Sequence, residues 1–152
     1  MIQRVQTLYL LGASILLGLM LKLPIASFLI EGEKYNLLSN AFVSSLDATN
    51  IIFNTYPLAI LIFVSAMIAF IAIFFFKKRK LQMRIVLFDI VITLGIYVLI
   101  YYYYLQASAV KELVYVFNYP VLFPLISAFL MFMAFRGIRR DEMIIQSLNR
   151  IR

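Results

Sequence analysis

The chain predicts an all-α integral membrane protein: a four-transmembrane-helix bundle with both termini cytoplasmic, followed by a cytoplasmic amphipathic helix. Three observations predict it. Hydrophobic residues fill 64% of 152 positions with a mean hydropathy of +0.97, against roughly half apolar in soluble domains. The apolar residues fall in four blocks, each near the ~20 residues that cross a ~30 Å hydrocarbon core. The fourteen basic residues divide eleven to three between the two sides those blocks define.

The first block spans about 5–23 and stops at Lys22 and Pro24. It follows Arg4 as a signal peptide would. Its length and the poor cleavage sequence Pro24-Ile25-Ala26-Ser27 favour a retained span. An external loop, 24–55, comes next. In it Ser27–Ile30 and Tyr35–Leu38 flank Glu31-Gly32-Glu33-Lys34, the pattern of a hairpin whose turn Gly32 supplies. The rest of the loop keeps Phe42, Val43, Leu46, Ile51, Ile52 and Phe53, enough apolar surface to pack on the membrane or a partner.

The second span covers about 56–76 without a charge. A basic loop, 77–84, follows, with Lys77, Lys78, Arg79, Lys80 and Arg84. The third span, about 85–105, holds one charge, Asp89. Stepping from Asp89 gives Thr93, Tyr97, Tyr101 and Tyr104, all within about 120° of arc at 100° per residue. That polar stripe faces other helices rather than lipid. Two readings of it compete: structural pairing of Asp89 with Arg84 or Arg136, or a hydrated proton or ion path. Only Ser14, Ser65 and Ser127 lie near mid-membrane on the other spans, thin material for a relay, and structural pairing is preferred. Tyr101 to Tyr104, Tyr115, Tyr119 and Tyr56 gather at the outer boundary, as an aromatic belt does.

A short external connection carrying Lys111 and Glu112 leads to the fourth span, about 119–136, with Pro120 and Pro124 in its first turns. In the tail, 137–152, Ile144, Ile145, Leu148 and Ile151 form one apolar face for a membrane surface or a partner, and Gly137 permits a bend before it.

Charge sets the orientation. Arg4, the five basic residues of 77–84, and Arg136, Arg139, Arg140, Arg150 and Arg152 share one side; Lys22, Lys34 and Lys111 occupy the other. Basic flanks stay in the cytoplasm, so the termini are inside and the number of spans is even. The net charge of +7 therefore speaks for anionic lipid surfaces and not nucleic acid, since no aromatic residue interleaves the basic run. Residues 1–152 form a single membrane domain.

Met1-Ile2-Gln3-Arg4-Val5-Gln6-Thr7-Leu8-Tyr9-Leu10-Leu11 at the start and the run from Ile138 to Arg152 at the end carry a resemblance. The chain resembles a family of small four-span inner-membrane proteins characteristic of Bacteroidetes, a family without an assigned function. The resemblance implies the fold, the topology and a Gram-negative inner-membrane location, and it transfers no catalytic residue.

With no cysteine and no histidine, the chain has no thiolate, disulfide, haem or imidazole–metal chemistry of its own. It also lacks a phosphate-binding glycine loop. No catalytic residue, cofactor or metal is expected. The expected function is a non-catalytic accessory subunit of a larger inner-membrane complex for export, insertion or respiration. Its partners are membrane lipids and other integral membrane subunits. The alternative is a small oligomeric transporter or channel using Asp89 and the polar stripe. A third possibility is a lipid-binding or membrane-organising role for the basic loop.

Overall fold

The computed structural model describes residues 3–30, 33–44, 51–108, 114–116 and 118–150. Four helices dominate it: α1 (Gln3–Met20), α2 (Tyr56–Phe74), α3 (Arg79–Ser108) and α4 (Phe123–Arg150). Each packs on two others, α1 and α3 both lying against α2 and α4, so the helices close into a ring. Three are long and apolar enough to cross a membrane, and α1 is a shorter apolar helix.

The outward faces explain why such a bundle belongs in lipid. Leu8, Phe63, Phe88, Val91, Val98 and Phe129 all point away from the core and are exposed. In water that belt would be a large penalty; in hydrocarbon it costs nothing, while the helices satisfy their own backbone. The inward faces carry small residues. Ala66, Ala69 and Ala72 of α2, Ala13 of α1 and Ala134 of α4 are buried, which allows close helix approach where no hydrophobic driving force operates.

An all-α description leaves out one element. At the end opposite the basic residues stands a five-stranded sheet, ordered β4-β3-β2-β1-β5. Its strands are β1 (Ala26–Ile30), β2 (Glu33–Leu37), β3 (Ala41–Ser44), β4 (Ile51–Asn54) and β5 (Val114–Val116). The hairpin expected around Gly32 is the antiparallel β1–β2 pair, with Phe28 opposite Tyr35; Gly32 itself, Leu46, Lys111 and Glu112 lie outside the described residues. β5 comes from the second connection and pairs antiparallel with β1, so both expected loops build one layer. Pairing satisfies the backbone of segments too apolar to stay solvated. Phe28 anchors the layer, its ring meeting Phe42 edge-on at 5.7 Å and Tyr104 at 6.1 Å.

Two boundaries differ from expectation. The basic segment 77–84 is mostly the start of α3. A single 3₁₀ turn, Phe75–Lys77, and Lys78 connect the helices, and the Lys78 carbonyl accepts the Gln82 N–H at 3.0 Å. The tail is not a separate helix. α4 runs 28 residues through Gly137 without a break, because Gly137 faces the Gln6 side chain: a Cβ there would sit 2.9 Å from Gln6 Cγ. That glycine serves close approach instead of a bend.

Candidate functional site

Two apolar clusters fill the bundle. One, at the sheet end, joins Leu17, Phe28, Phe42, Ile62 and Ile96; the other, at the basic end, joins Leu10, Val86, Met131 and Ile138. Between them lies a polar layer. Ser65, near the middle of α2, donates its hydroxyl to Asp89 Oδ1 of α3 at 2.7 Å. Thr93 Oγ1 stands 2.8 Å from Ser65 Oγ and also donates to the Asp89 carbonyl at 2.8 Å. Ser65, Thr93 and Asp89 thus form one hydrogen-bonded cluster that joins α2 to α3. Asp89 is 0% exposed, and its Oδ2 has no hydrogen-bond partner among the described residues.

The partner of Asp89 is therefore a serine on α2. Neither Arg84 nor Arg136 reaches it; both stand exposed at the basic end. The reason is depth: Asp89 is more than one turn inside the helix from Arg84, and long basic side chains extend toward the boundary rather than back into hydrocarbon.

The polar stripe is brought inward only in part. Asp89 and Thr93 are buried, and Tyr97 is half-buried, donating to the Val121 carbonyl at 2.7 Å and accepting the Leu125 N–H at 3.1 Å. Tyr101, by contrast, is 62% exposed and stacks on half-buried Tyr104 with centroids 6.3 Å apart. Each four-residue step turns about 40° past a full turn, so three steps carry Tyr101 off the buried face. That face instead follows Gln82, Val86, Asp89, Thr93, Ile96, Tyr103 and Ala107.

Two further serine hydroxyls inside the bundle bind backbone. Ser14 donates to the Ala66 carbonyl at 2.9 Å, and Ser127 to the Ala13 carbonyl at 3.3 Å. They tie α1 to α2 and α4 to α1. Gln82 does the same at the basic end, from α3 to the Ala72 carbonyl at 2.9 Å.

A second polar group carries no signal in the sequence pattern. Gln6 Nε2 of α1 donates to Asp141 Oδ2 of α4 at 2.8 Å, and Arg79 of α3 approaches the same oxygen at 3.9 Å. These residues lie in polar flanks, where solvated side chains are the rule, and only the buried state of Gln6 and Asp141 separates them from that background.

Beside it, Lys78, Arg79, Lys80, Leu81 and Arg84 of the α2–α3 corner face Glu142 and Ile145 of α4 across a groove of about 600 Å³. Of the expected apolar face on the tail, Ile144 is 46% and Ile145 39% exposed. The side chains of Lys77 and Leu148, and all of Ile151, lie outside the described residues. Among the described residues no three acidic side chains converge as metal ligands.

The chain belongs to the family described as a domain of unknown function, DUF4293, whose model matches residues 2–151. No curated protein and no solved structure matches it.

Proposed function

We propose that this DUF4293 chain is a non-catalytic subunit of a larger assembly in a bacterial inner membrane, serving export, insertion or respiration. In this reading α1 to α4 make four spans, the basic end and both termini face the cytoplasm, and the sheet faces outward. The division of basic residues supports that orientation.

One observation carries the subunit reading. Past Asp141, the last buried residue described on α4, the helix continues with Met143, Ile144 and Ile145 exposed in succession. Apolar side chains in a row at the basic end of a bundle ask for a covering surface. The interior supports the same reading, because its hydroxyls are spent on helix-to-helix bonds. The test is the double substitution Ile144→Ser and Ile145→Ser. Native gels of membranes in mild detergent should show the chain leaving a large complex while its abundance holds; an unchanged large complex would count against this face.

A second reading, a small oligomeric transporter or channel, rests on the buried Oδ2 of Asp89, which has no hydrogen-bond partner among the described residues. Asp89→Asn separates the two: a transporter loses coupling at unchanged abundance, and a structural subunit stays neutral or loses assembly.

A further inference from the structure

We propose that the groove between the start of α3 and the end of α4 binds the phosphate of an anionic phospholipid headgroup. The inference rests on membrane placement and not on the subunit reading, so either can fail alone.

The groove is concave, and its lining sets four cations, Lys78, Arg79, Lys80 and Arg84, against one carboxylate, Glu142. Arg79 is shared with Asp141 at 3.9 Å, and Glu142 accepts a bond from Gln146 at 3.0 Å. Lys78, Lys80 and Arg84 remain, and none of them forms an ion pair among the described residues. They crowd the beginning of α3, whose first turn holds no acidic residue. Cations at that end oppose the helix dipole, and the first amide groups of a helix need acceptors. One anion in the groove relieves both conditions.

The apolar part of the lining selects a lipid over a soluble anion. Leu81 and Ile145 edge the groove, and exposed Leu87 and Phe88 follow on α3, giving acyl chains a surface to continue along. A volume of about 600 Å³ accommodates a phosphoglycerol headgroup. Basic pockets beside transmembrane helices recognise such headgroups by this combination of charge and depth.

The experiment is native mass spectrometry of the full chain in mild detergent, titrated with dioleoyl phosphatidylglycerol or dioleoyl phosphatidylcholine. Three proteins are compared: wild type; a groove variant with Lys78→Gln, Lys80→Gln and Arg84→Gln; and a control with Arg136→Gln, Arg139→Gln and Arg140→Gln, which removes the same charge outside the groove. Wild type and control should retain one phosphatidylglycerol in preference to phosphatidylcholine. The groove variant should retain it about a hundredfold less. Equal loss in both variants would reduce the effect to diffuse surface charge and overturn the proposal. Equal retention of the two lipids would also overturn it. Displacement by millimolar inorganic phosphate would make a free anion, not a lipid, the ligand. Should the triple groove variant misfold by circular dichroism, Lys80→Gln alone must still lower retention, and its failure to do so overturns the proposal.

Discussion

Gln6 and Asp141 stand 135 positions apart and meet through a 2.8 Å bond from Nε2 to Oδ2. With Arg79 at 3.9 Å from the same oxygen, one carboxyl group ties α1, α3 and α4 at the basic end. Gly137, one turn before Asp141, leaves the space that the Gln6 side chain occupies.

Adding a methyl group at Gly137 should therefore cost stability. Ala is worth about 1 kcal/mol over Gly inside a helix, and a hydrogen bond to a charged group about 1.5–3 kcal/mol. Displacing Gln6 from Asp141 outweighs the propensity gain, and Gly137→Ala should lose about 1 kcal/mol net. In a Gln6→Ala background the same substitution should turn neutral or stabilising. Thermal unfolding of the four proteins in one detergent completes the cycle.

Ser65→Ala removes the α2 donor to Asp89 and leaves the buried carboxyl with a poorer set of partners. A loss of about 1–3 kcal/mol is expected, and pairing it with Asp89→Leu should recover much of that loss. Failure of the second change to help would mean that Asp89 has a role beyond bonding Ser65.

At the sheet end, Phe28→Ala should cost about 3–5 kcal/mol. The ring joins β1 to Phe42 of β3 and Tyr104 of α3, outside the apolar belt, where water-based burial energies apply. Limited proteolysis should then cut the 24–55 segment faster while the helical circular dichroism is preserved.

The absence of cysteine makes topology directly measurable. Asn40 and Ser147 are both exposed, one beside the sheet and one near the end of α4. In intact spheroplasts an impermeant maleimide should label Asn40→Cys at once and Ser147→Cys only after permeabilisation. The reverse pattern would invert the orientation.

The helices are legible in sequence because a soluble domain has no reason to keep a run of membrane length almost free of charge. The β1–β2 hairpin is legible around Gly32, but the other three of the five strands are harder. β3 is buried at all four positions and so shows no alternation, while β5 has three residues and pairs with a strand over eighty positions away. Asp89 stands out as a lone charge, but its partner Ser65 is indistinguishable in sequence from Ser14 or Ser127. Steps of four from Asp89 put Tyr101 at the far edge of an arc of about 120°, and the buried face of α3 is narrower than that arc. Gly137 has the local pattern of a hinge, yet its neighbour is Gln6, a contact no local pattern encodes.

Purification of the tagged chain from native membranes in mild detergent, with sizing and mass spectrometry, tests membership of an assembly most directly. A large complex of defined stoichiometry containing other integral membrane subunits is the expected result. A homo-oligomer of this chain alone would contradict it and turn attention to Asp89.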